Sequence, residues 1–115
     1  FAYTKSNNYD KALAAYTKAI KLNNKNSYAY FNSALILESK GRFKRSGDYF
    51  YSAGVSALIN KEFTRANKSF DALKRLSKLD KEISLKKKKL GDLIKDFPDD
   101  DEKKYTIKKI NSNIK

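Results

Sequence analysis

The chain has 115 residues, with 26 basic against 13 acidic side chains and a formal net charge of +13. A chain of that length suits one domain able to bury roughly two-thirds of its unfolded surface. The absence of His and Cys removes the usual general base, the thiol nucleophile and the commonest metal ligands, so neither an enzyme nor a cofactor is expected. No run of about 18 apolar residues occurs, so these residues are not expected to span a membrane.

Phe1 to Lys5 reads as the last turns of a helix, and Ser6 to Asn8 as a short polar turn. With Phe1 at the start and no Met anywhere, the chain reads as a fragment or a processed form. Tyr9 to Leu22 then carries Ala12, Ala15, Tyr16, Ala19 and Ile20 at the spacings of one apolar helix face. Small residues at a crossing let a neighbouring helix approach, and the aromatic one turn later fills the gap beside them. Ala15 and Ala19 are therefore expected in the core.

Asn23 to Asn26 ends that helix, and Ser27 is placed to cap the next, Tyr28 to Lys40. Tyr30, Phe31, Ala34 and Leu37 form its inner side, and Gly41 supplies a left-handed stop. Phe43 to Ile59 is the third helix, with Gly47 and Gly54 seven positions apart on one face, which permits a close crossing. Tyr9, Ala12, Tyr16 and Ala19 return as Phe43, Ser46, Phe50 and Ala53, each 34 positions later. A shift of 34 is the period of a known two-helix repeat.

The pattern returns a third time as Phe63, Ala66, Phe70 and Leu73, after only twenty positions. There is no room between these copies for a complete hairpin. Glu62 to Ser77 is therefore expected to serve as the first helix of a degenerate third repeat, with Asp80 to Phe97 as its partner. Ser77 and Asp80 both suit caps at the break. The rival reading is one long helix from Glu62 to Phe97, supported by the near-heptad spacing of Leu73, Leu76, Ile83, Leu90, Ile94 and Phe97. After Pro98, Asp99 to Glu102 matches the positive end of a helix dipole. Ile107, Ile110 and Ile114 would form the stripe of a capping helix over 98–115, outside a main domain over 1–97.

These residues resemble tetratricopeptide repeats, whose pattern pairs W-x2-L-G-x2-Y with A-x3-F and a closing Pro. The first-helix half is similar to Tyr30-x2-Ser33-Ala34-x2-Leu37. The second-helix half is similar to Ala12-x3-Tyr16-x2-Ala19 and to Ser46-x3-Phe50-x2-Ala53. Ser33 stands where Leu is usual, and Asn24 where Pro is usual. The resemblance covers about Phe1 to Ile59. It implies an all-α fold of antiparallel helical hairpins stacked as a short solenoid, ending in a long helix or helix pair and a capping helix.

It also implies a protein-binding scaffold whose concave surface is lined by the first helices of the repeats. Carried over position by position, the groove candidates are Tyr28, Phe31, Asn32 and Leu35, then Lys61, Thr64, Arg65 and Lys68. Asn32 and Lys61-x3-Arg65 are similar to members of a clamp for C-terminal carboxylates, although Phe1 falls where that clamp has its first Asn. The expected partner is a protein with an acidic or amphipathic segment.

The alternative is a basic surface binding anionic membrane or nucleic acid, centred on Lys86, Lys87, Lys88 and Lys89. Nucleic acid is disfavoured: Lys outnumbers Arg by 22 to 4, whereas base recognition leans on Arg. No aromatic side chain interleaves the lysine run for stacking either. Four consecutive lysines on a helix spread over every face, so one of them must run along the seam. Compartment and oligomeric state are left open by these residues.

Overall fold

The computed structural model describes residues 6–96. They form α1 (Ser6–Leu22), α2 (Ser27–Ser39), α3 (Phe43–Ile59), α4 (Phe63–Leu76) and α5 (Lys81–Lys95). Phe1 to Lys5, the 97/98 boundary and the expected helix after Pro98 lie outside the described residues. No helix among those described is long and apolar enough to cross a membrane.

The helix ends show local chemistry at work. Asn26, not Ser27, caps α2: its side chain accepts the Ala29 amide at 3.0 Å. Ser27 is instead a buried first-turn residue whose hydroxyl reaches another helix. At the other end of α2, Gly41 takes φ +78°, its amide donates to the Glu38 carbonyl, and the Arg42 amide reaches back to Leu37. This paired closure satisfies two carbonyls that the helix leaves open. The junction after α3 repeats it twenty residues on, with Lys61 at φ 61° donating to Leu58 and Glu62 to Ala57.

Asp80 caps α5 by accepting the Glu82 amide at 2.7 Å, and Ser77 closes α4 by donating its hydroxyl to the Lys74 carbonyl. The chain thus breaks between α4 and α5, and the single long helix does not form. At the opposite end an expectation fails: Ser6 to Asn8 is the first turn of α1 and not a polar turn outside it.

The helices arrange in two layers. One holds α2 and α4 side by side and parallel, joined at both ends. At the leading ends the Ser27 hydroxyl donates to the Glu62 carboxylate. At the trailing ends the Arg75 guanidinium grips the Glu38 carboxylate through two bonds, of 3.1 and 2.5 Å. The other layer holds α3 and α5, also parallel. A methyl group built on Gly47 would lie 2.9 Å from Ile83, and one on Gly54 would overlap Leu90 more closely still. The two glycines are holes, seven residues apart, that admit two side chains spaced identically on α5. Gly91 of α5 returns the arrangement by receiving the Phe70 ring of α4.

Phe50, Ala57, Leu58, Phe70, Leu73, Ile83, Leu90 and Ile94 make up much of the core. Burying each large side chain contributes about 1.5–3 kcal/mol. Leu73, Leu76, Ile83, Leu90 and Ile94, expected on the seam of the rejected long helix, are thus buried, but by two helices folding back on α3. Helix α1 behaves differently. It packs on α2, yet Ala12, Tyr16, Ala19 and Ile20 are only half-buried and Ala15 is exposed. Ala15 is therefore no core residue. Its helix is covered on one side where α3 is covered on several.

Candidate functional site

The first-helix layer presents one face of α2 beside one face of α4. Tyr28 opens that face at the α2 N-terminus and is 56% exposed. Its ring meets Tyr16 of α1 edge-on at a centroid distance of 6.2 Å, and the Arg65 guanidinium lies 5.7 Å from its centre. Burial, and after it the neighbouring Tyr28 phenol, raises the Tyr16 pKa above the ordinary 10.0. The Tyr16 ring is therefore neutral across the physiological range, and the pair of rings is an apolar surface with polar tips.

One and two turns further along α2, Asn32 and Leu35 face a recess of about 250 Å³. Its opposite wall is Tyr9, Ala12 and Tyr16 of α1, and Ile36 lies deeper. The recess is chiefly apolar, with the Asn32 amide, the Glu38 carboxylate and the Ser39 hydroxyl also lining it, which is the general make-up of a site for an apolar anchor. Phe31 turns the other way: it is half-buried and packs edge-on against Phe50 at 5.3 Å. It supports α2 from within the core.

On α4, Thr64 and Lys68 are exposed, and Lys61 is exposed in the left-handed junction before the helix. Arg65 is half-buried and committed within the molecule: it approaches Glu62 at 3.3 Å and the Ser27 hydroxyl at 3.2 Å. A guanidinium so engaged has less to offer an incoming carboxylate. Asn32 opens toward α1 while Arg65 lies over Tyr28 at the head of α2.

The four lysines of α5 separate. Lys86 runs along α3, 31% exposed, 3.2 Å from Asp48 and 5.7 Å from the centre of Tyr51. Lys87 is half-buried, and Lys88 and Lys89 are exposed. The run is thus one neutralised seam lysine and scattered surface charge. Residues read from the sequence purely as core, Tyr9, Ala12 and Tyr16, turn out to line the recess. Comparing their burial with that of Phe50, which is fully enclosed, shows why the repeat pattern could not reveal it: the pattern is the same, and the coverage is not.

Residues 2–41 match the family model described as TPR repeat. A TPR repeat-containing protein of Methanocaldococcus jannaschii is 49% identical over 39 residues, which are 34% of this chain and 7% of that relative. The matched stretch is thus a small part of the curated relative. No solved structure matches. Such repeats generally act in protein–protein interaction and are typically non-catalytic. The five described helices pack in sequence as stacked hairpins of that kind would, and the similarity to the TPR repeat family covers residues 2–41.

Proposed function

We propose that this chain is a non-catalytic scaffold that holds a peptide or helix of a partner protein on the α2/α4 face, anchoring an apolar side chain in the recess beside α2. One observation carries the reading: Tyr28, Asn32 and Leu35 lie along one helix, and the latter two open on the apolar recess between α1 and α2. Exposed Thr64 and Lys68 on the neighbouring α4 suit a segment with acidic residues beside its apolar anchor. Aromatic and apolar side chains at such a centre typically dominate binding, with polar neighbours setting orientation.

The test compares variants in the capture of proteins by the full chain, followed by mass spectrometry and by titration of whichever partner is recovered. Tyr28→Ala and Asn32→Ala should each weaken capture about fivefold or more, while replacement of Lys86 to Lys89 by Gln should leave it nearly unchanged. Binding should also decline only modestly as salt rises, since it is anchored by apolar contact. The opposite pattern, or recovery of nucleic acid or lipid alone with a steep salt dependence, rules the reading out.

A further inference from the structure

A second recess, of about 260 Å³, lies between α1 and α3, away from the α2/α4 face. Its rim is cationic: Lys40, Arg42 and Arg45 line it together with the hydroxyl-bearing Thr17 and Tyr49, and its apolar part comprises Leu13, Ala14 and Leu37. Asp10 is its sole carboxylate, and that group is already taken by Lys40 at 2.6 Å. Two positive charges are left over, both guanidiniums.

The whole chain has four arginines against 22 lysines. Arg65 and Arg75 are paired with Glu62 and Glu38. Arg42 and Arg45, three positions apart at the head of α3, meet no carboxylate among the described residues. Arg45 is also held in place, because its guanidinium lies 6.0 Å from the centre of the Tyr49 ring, which is itself packed edge-on by Tyr30 at 5.9 Å. A planar fork fixed against an aromatic loses little freedom when it receives an oxyanion.

We propose that the α1/α3 recess is a second docking site, for a segment of a partner protein in which carboxylate side chains flank an apolar one. The carboxylates meet Arg42 and Arg45, and the apolar side chain rests on Leu13 and Ala14. A protein segment is favoured over a membrane surface because the unpaired charges surround a small concavity with an apolar floor, which a planar array of headgroups cannot enter. The site draws on Arg42 and Arg45 at the head of α3, which the recess beside α2 does not use, although α1 and α2 contribute residues to both.

The experiment titrates the full chain with a fluorescein-labelled peptide of alternating glutamate and leucine residues, followed by anisotropy at moderate salt. Three comparisons decide it. The double variant Arg42→Gln/Arg45→Gln, both positions being exposed, should bind about tenfold or more weakly while its circular dichroism melt is unchanged. Arg42→Lys/Arg45→Lys should fall between, because the charge is kept and the fork is lost. A Lys88→Gln/Lys89→Gln variant, at exposed positions of α5 outside both recesses, should bind as the parent does. Equal binding of the peptide by the glutamine double variant overturns the proposal. So does equal binding of a polyglutamate peptide without leucine, which would show general attraction to a basic surface. Association with vesicles of anionic lipid that depends on the same two arginines more strongly than the peptide does would overturn it as well.

Discussion

At the scale of single residues, backbone constraints are the sharpest feature of this molecule. Gly54 receives Leu90 so closely that an added methyl would overlap its Cδ2, and Leu90 is itself fully buried with nowhere to retreat. Gly54→Ala is therefore expected to destabilise by about 1–3 kcal/mol, against a helix-propensity gain of up to about 1 kcal/mol. Thermal unfolding measures it, and pairing the change with Leu90→Ala should recover part of the loss, giving clearly non-additive effects. The reverse holds at Lys61, whose φ of 61° is unfavourable for a side chain with a Cβ. Lys61→Gly should raise the melting temperature by a few degrees, whereas Gly41→Ala at the equivalent position should lower it. Legibility differs between these sites. The glycine pair at a spacing of seven was visible in the sequence as a close crossing, but Lys61 was not, because nothing in a lysine announces a left-handed backbone. Burial of Ser33 likewise leaves its hydroxyl without a partner, at the position where the repeat pattern has Leu.

At the scale of elements, α2 and α4 are held together by polar contacts at their ends. The grip of Arg75 on Glu38 joins positions 37 residues apart in sequence. A double-mutant cycle at Glu38 and Arg75 should return a coupling of about 0.5–1 kcal/mol, shrinking in high salt because the pair is partly exposed. A coupling near zero at low salt would mean that the pair does not join the helices. The extents of α2 and α3 and the break before Asp80 were readable from periodicity, Gly41 and the capping residues. The start of α1 was not, since Ser6, Asn7 and Asn8 have the composition of a turn and are helical only because the helix from Tyr9 onward extends back through them. The groove candidates show the same limit: Phe31 and Leu35 share a helix and both pack against the core, and only the surrounding helices decide that Phe31 meets Phe50 while Leu35 also borders a recess.

At the scale of the whole molecule, stability is distributed unevenly. The principal core cluster is supplied by α2 to α5, while the described residues of α1 include none that is fully buried. Stacked elements contact only their neighbours, so a helix packed on one described side opens at lower cost than one packed on several. Hydrogen exchange should show the amides of α1 exchanging markedly faster than those of α3 and α4. Uniform protection across all the helices would contradict this order. The same unevenness bears on binding, because α1 forms a wall of both recesses. An occupant of either would protect the helix that is otherwise least secured.

The junctions on either side of α3 are built alike. Each helix end closes with the same pair of backward amide bonds, around Gly41 and around Lys61. Each new helix then starts from a residue of the same backbone conformation lacking a side-chain cap, Arg42 at φ −90°, ψ 72° and Glu62 at φ −96°, ψ 71°. One of these steps lies within a hairpin and the other between hairpins, yet the backbone does not distinguish them. The twenty-residue echo of Phe43 in Phe63 thus marks a hinge of standard cut, not a unit of repetition. A chain built from such a hinge can be extended one helix at a time, with the two-helix period imposed by side chains and not by the main chain.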